Sequence, residues 1–273
     1  MHVLADLALS FALLTVLVNG VLYSIRARVL RRVAPCDAAE RLGLIDAAWA
    51  FAQECGALAA ALLLLPAACC TSPCGAGSGT RGTIILVHGW ALNPGSLWLL
   101  RRRLLRDGWS PVCYLAYPSL RVDVELAARR LRDLLARLAA DPTHHGPVML
   151  VGHCLGGLVV RCCARRYPVP QVRRLVTLGT PHQGTQLARI GGPWARLAPD
   201  SKLLRTLNAA DHLPQQFDVV AIHSTFDAVI LPPANARYAG AFNVQLNNVG
   251  HHALLFSSKV YQLLGENLAA PLR

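Results

Sequence analysis

Val148–Gly157 reads VMLVGHCLGG. Four apolar residues predict a short strand, and the run from Leu155 onward predicts a helix. Between them, G-H-C-L-G has to turn the chain sharply. The first and fifth positions of such a strand-to-helix turn need small residues, because the backbone passes too close there for a Cβ. The central side chain, Cys154, is thrown outward at a helix N-terminus, whose partial positive charge favours an anion. Outward from this stretch the same alternation continues. Strands are expected at Thr83–His88, Val112–Tyr117, Arg174–Leu178, Val219–His223 and Val244–Asn247. Helices are expected at Ser96–Arg106, Val122–Ala140, Leu155–Tyr167 and Leu254–Leu268. Apolar strands separated by amphipathic helices predict an α/β fold with a mostly parallel sheet covered on both faces. Active sites in such sheets lie at the C-terminal ends of the strands.

The 273 residues are 53% hydrophobic and 15% charged, with a mean hydropathy of +0.37. Those values exclude a disordered or low-complexity chain and point to a membrane-embedded part. In residues 1–80 five arginines balance five acids, so the remaining 22 basic and 10 acidic residues carry the whole net charge of +12. A basic body of this kind is drawn to anionic lipid or nucleic acid. With no basic-aromatic RNA motif or zinc-finger spacing, no nucleic-acid partner is expected.

Leu4–Tyr23 and Leu44–Leu65 are apolar stretches of about 20 residues, long enough to span a hydrocarbon core roughly 30 Å thick. Met1–Asp6 has no Lys or Arg, and no A-x-A-like site follows, so a cleaved signal peptide is not expected. Ser24–Gly43 holds all five arginines of this region. By the positive-inside rule that connection is cytoplasmic, and both outer ends of the hairpin face the opposite side. Residues 1–66 thus read as a two-helix membrane anchor and residues 67–82 as a linker. Residues 83–273 read as the α/β domain, with a helical cap at about 184–214. The expected location is a bacterial inner membrane with the domain in the periplasm. The alternative, two buried helices of a soluble fold, draws its support from Asp46 and Glu54. Nine cysteines at irregular spacing outline no disulfide framework, and Cys69, Cys70 and Cys74 lack the partners of a metal site. No cofactor or metal is expected.

The chain resembles the α/β-hydrolase superfamily, and within it the bacterial lipases and esterases. G-H-C-L-G matches the G-x-S-x-G nucleophile elbow with Cys154 in the place of the usual serine. Leu86–Trp90 (LVHGW) resembles the oxyanion-loop motif, Leu178–Thr185 (LGTPHQGT) the G-T-P-H-x-G-T segment. Ser224–Pro232 (STFDAVILP) and Asn248–Phe256 (NVGHHALLF) resemble the acid and histidine loops. The resemblance implies a Cys154–His251–Asp227 triad, with the backbone N–H groups of Trp90 and Leu155 as oxyanion hole. Asp218, Asp211 and His252 are the less favoured alternatives for acid and base. His88, His153 and His182 are read as supporting loops, and Cys162 and Cys163 as core. The cysteine departs from the lipases and shifts the expected substrate towards thioesters, activated esters or acyl transfer. Three functions stay open: a membrane-anchored hydrolase of esters or thioesters, an acyltransferase with the same triad, and a non-catalytic binding protein.

Overall fold

The computed structural model describes residues 2–33, 43–70, 74, 81–142, 146–209 and 218–271. Six strands among these form one parallel sheet: β1 (Thr83–Val87), β2 (Val112–Leu115), β3 (Val148–His153), β4 (Val172–Leu178), β5 (Asp218–Ser224) and β6 (Phe242–Leu246). Their order is β2-β1-β3-β4-β5-β6, with every neighbouring pair parallel. The expected strands are all present, with ends shifted by one or two residues. The fourth starts at Val172 and the sixth ends at Leu246, one residue early.

Strand side chains alternate between two cores. Ile85 and Val87 face α4 (Val124–Ala140) and α5 (Leu155–Arg166), against Leu131, Leu135, Leu158 and Val159. Ile84 and Leu86 face the opposite layer, with α3 (Trp98–Arg106) and α7 (Ser258–Ala269), through Leu100, Leu104, Val260 and Leu264. Burial of both sheet faces explains why the strands are runs of Val, Ile and Leu rather than alternating apolar and polar residues. The expected closing helix is two pieces, a short turn at Ala253–Leu255 and then α7, whose N-cap Ser257 accepts from the Val260 N–H. The segment expected as a cap holds 3-10 turns and α6 (Lys202–Asn208); residues 210–217, including the alternative acid Asp211, lie outside the described residues.

Two apolar helices precede the sheet, α1 (His2–Val33) and α2 (Leu44–Leu63), and both are long and apolar enough to cross a membrane. α1 runs ten residues past the expected span, so Arg26, Arg28, Arg31 and Arg32 are helical rather than part of a loop. Arginine is a good helix former, and its charge reads as a break only if hydropathy is the sole criterion. The expected linker starts as a 3-10 turn over Leu65–Cys70; residues 71–73 and 75–80 lie outside the described residues. Cys74 is bridged to Cys113 of β2, with Cα atoms 4.6 Å apart, a pairing the irregular spacing did not announce.

The helix pair is docked along the α/β sheet and its loops. The Tyr23 hydroxyl donates to the Phe226 carbonyl (3.0 Å) and the Arg26 guanidinium to the Thr225 carbonyl (2.8 Å). Asn93 Nδ2 donates to the carbonyl of Leu65, just beyond α2 (3.0 Å). Ala57 and Ala61 join the core shared by β1, α3 and α7. The outer faces keep Leu9, Leu13, Leu17, Ile45 and Trp49 exposed.

Candidate active site

The turn after β3 has the strain its sequence requires. Cys154 sits at φ +53° and ψ −122°, a conformation that costs a side-chain-bearing residue about 1–3 kcal/mol. A Cβ on Gly152 would come within 2.6 Å of Gly156, and one on Gly156 would collide with the Val87 carbonyl. Glycine is therefore required at both ends of the G-x-C-x-G pattern. Among the described residues, Ala91 (φ +56°) is the other non-glycine with positive φ. Both strained residues line the same cavity.

Asp227 and His251 come from the loops after β5 and β6 and meet beside that turn. His251 Nδ1 lies 2.7 Å from Asp227 Oδ2, with both side chains buried. The other carboxylate oxygen, Oδ1, accepts from the N–H groups of Val229 (2.7 Å) and Ile230 (2.9 Å), which fixes the plane of the carboxylate. Burial opposes a charge on His251. The Asp227 carboxylate and the Cys154 sulfur, each also hydrogen-bonded to the ring, outweigh it and hold the imidazolium well above its ordinary range. Asp218, the competing acid, lies at the other end of β5. Its carboxylate pairs with the buried Arg174 guanidinium at 2.6 Å. A seven-residue strand separates it by about 20 Å from the C-terminal edge.

Gly89 lies against the turn: a Cβ there would sit 3.0 Å from Cys154 Cβ. The chain carrying Trp90 thus runs beside Cys154, while Leu155 is the first residue of α5, where helix N–H groups have no partner within the helix. The Trp90 ring stacks on Trp194 (4.5 Å), and its Nε1–H donates to the Leu120 carbonyl.

The other histidines take supporting places. His153 Nε2 is 3.1 Å from the His251 carbonyl and orients that loop. His88 Nδ1 donates to the Gly89 carbonyl, and its ring stacks on Tyr117. His182 Nε2 meets Thr177 Oγ1 at 3.0 Å, under Tyr238. Burial pulls His88 down to about 4 and holds His153 and His182 well below the ordinary value. All three are neutral in the fold but protonate below about 6.5 when unfolded. Stability supplied by their neutral packing is therefore complete above that value and lost as pH falls through it. Each group steepens the fall by up to about 1.4 kcal/mol per pH unit. His251, shifted upward, contributes in the opposite sense: its stabilisation is complete below about 6.5 and lost as pH rises through its folded value. Denaturant titrations between pH 7.5 and 4.5 should show a steep acid loss, and a flat profile would contradict the buried neutral histidines.

One residue of the site escaped the sequence reading. Glu54, in the middle of α2, is buried against the histidine loop. Its carboxylate accepts from the His252 N–H (2.9 Å), the Ala253 N–H (2.9 Å) and His252 Nδ1 (2.7 Å). The approach is so close that a Cβ on Gly250 would collide with it. An acid inside a long apolar helix is a functional signal by default, and that was the available clue. The contact also explains His252, whose ring is turned to Glu54 and not to Asp227.

The sheet order, the strained turn and the buried His–Asp pair at the C-terminal edge point to one class, the α/β hydrolases. The chain belongs to that family: residues 84–266 match the family model described as "Alpha/beta hydrolase family". Among solved structures, lipase B of Aspergillus fumigatus is 20% identical at a TM-score of 0.64, over 74% of this chain and 56% of that one. The mature lipase BlEst2 of Bacillus licheniformis is 16% identical at a TM-score of 0.57, over 69% and 92%. An esterase of Exiguobacterium antarcticum is 16% identical at a TM-score of 0.50, over 71% and 93%. At these identities the likeness is one of fold. No curated protein matches the sequence.

Proposed function

We propose that the protein is a membrane-anchored hydrolase of carboxylic thioesters or activated esters with lipidic acyl groups, acting through Cys154, His251 and Asp227. The observation that carries this reading is the strained Cys154 beside a histidine whose Nδ1 is held by a buried carboxylate. With the Cys154 proton held on His251, where Asp227 stabilises the imidazolium, the sulfur forms a bond to the substrate carbonyl carbon. The carbonyl π pair moves to oxygen, where the N–H groups of Trp90 and Leu155 receive it. Such a donor contributes roughly 3–4 kcal/mol. Collapse of the adduct breaks the bond to the leaving thiol or alcohol, which takes the proton from His251. Water, deprotonated by His251, then attacks the acyl-thioester and returns the thiol and a free acid.

With an oxygen ester, the adduct's better leaving group is the enzyme's own thiolate, so it tends to fall back to substrate. A panel of thioesters and oxygen esters matched in acyl chain should therefore show faster turnover of thioesters. Cys154→Ser should lose activity on both, because sulfur's longer bond sets where the carbonyl meets the oxyanion donors. Oxygen-ester turnover that rises in Cys154→Ser would remove the thioester preference from the proposal. Added alcohols that divert the acyl group from water would favour the acyltransferase reading.

By the positive-inside rule, the arginines between the two apolar stretches favour that connection on the cytoplasmic side and the domain opposite, in the periplasm of a bacterium. The Cys74–Cys113 bridge agrees with an oxidising compartment. A second reading is favoured by the contacts of both Arg26 and Leu65 with the domain, which hold the pair along it. In that arrangement only the outer face enters lipid, and no crossing is made. A reporter fused after residue 273 separates them: activity outside the cytoplasm supports the crossing hairpin, and activity only inside supports the in-plane pair.

A further inference from the structure

The cavity at Cys154 is not built by the hydrolase domain alone. It measures about 220 Å³, and α1 and α2 supply one wall through Val18, Leu22, Leu58 and Leu62. Trp90 and Trp194, stacked on each other, belong to the same lining, as do Cys154 and His251. We propose that this space is the subsite for a single unbranched acyl chain, and that α1 and α2 set the chain length it accepts. The inference rests on the ester-cleaving reading of Cys154 and deepens it.

Three observations converge. The wall is fixed rather than loosely apposed. Tyr23 and Arg26 tie α1 to the loop just before Asp227, and Glu54 ties α2 to the loop carrying His251. The helix residues facing the cavity are aliphatic, so they offer a chain contact area and no hydrogen bonds. The volume lies below the roughly 300–1,000 Å³ of pockets that enclose a whole ligand. One chain fits such a space, with the head group left outside. The outer faces of the same helices carry the exposed Leu17 and Trp49, so the subsite wall and the lipid-facing surface are two sides of one structure. An anchor built in this way also selects the substrate.

The test uses the full chain in detergent and a series of N-alkylmaleimides from ethyl to decyl, with adducts counted at Cys154 by peptide mass spectrometry. Exposed, free Cys69 in the same sample reports how far each reagent concentrates in micelles. In the wild type, labelling of Cys154 relative to Cys69 should rise with chain length, up to roughly fourfold per seated methylene, and then stop. Leu58→Trp should move the stopping point to shorter chains, and Leu58→Ala should move it to longer ones. A gain with longer reagents is not something that misfolding produces. Leu17→Trp, on the outer face of α1, should leave the profile unchanged. A wild-type profile parallel to that of Cys69, or one that Leu58→Trp and Leu58→Ala both leave in place, overturns the subsite. Because labelling needs no turnover, the expected shifts in a protein that cleaves no ester would uphold the subsite and remove the hydrolase reading. Turnover with unmoved profiles would do the reverse.

Discussion

Cys154→Ala is expected to abolish thioester turnover, lowering kcat by roughly 10⁴-fold or more. Removing the sulfur removes the covalent route, and only the oxyanion donors and substrate positioning remain. The alanine has to accept φ +53°, which the cysteine already does without glycine's freedom, so the backbone strain is unchanged. Folding is therefore retained, and the loss should fall on kcat, with KM little altered. Full activity in Cys154→Ala would remove the nucleophile from the elbow and the mechanism with it.

Asp227→Asn is expected to have an effect of similar size, about 10⁴-fold on kcat. The amide keeps an oxygen for the Val229 and Ile230 N–H groups, so the loop holds its shape. Its NH2 group then faces His251 Nδ1 and can only donate. The ring is forced to carry its proton on Nε2, where it can no longer take one from Cys154. The charge that raises His251 also disappears. The pH dependence of kcat/KM should therefore change shape as well as height, which a merely structural loss would not cause. An unchanged profile would point to a different acid. Asp218 is a poor candidate for it, because Arg174 already holds that carboxylate far from the site.

What could be read from residues alone divides along sequence distance. Strands such as Ile84–Val87 and Val148–Val151 are apolar runs bounded by Gly or Pro, and their signal lies within a few residues. The elbow is equally local, since Gly152 and Gly156 announce the tight approach that the structure contains. Asp227 and His251 lie 24 residues apart and were placed through resemblance of their loops, not through any local property. Glu54 and His252 are separated by 198 positions, and nothing near either names the other. From sequence alone, the charge of Glu54 speaks for α2 as an ordinary buried helix. The acyl-chain wall was hidden for the same reason. Leu22 and Leu58 look like any residues of an apolar span until the fold lays that span across the cavity. Hydropathy alone ends α1 ten residues early, at its arginines, whereas the helix continues with Arg26 turned inward to Thr225.

The central claim is that an acyl group passes through Cys154. The full chain should be mixed with a medium-chain acyl thioester, quenched in acid within the first turnovers, and digested for peptide mass spectrometry. The account predicts an acyl adduct on the peptide containing Cys154 that forms faster than free acid appears and decays as substrate runs out. Steady turnover with no adduct at Cys154, or an adduct that accumulates without ever yielding acid, would contradict it.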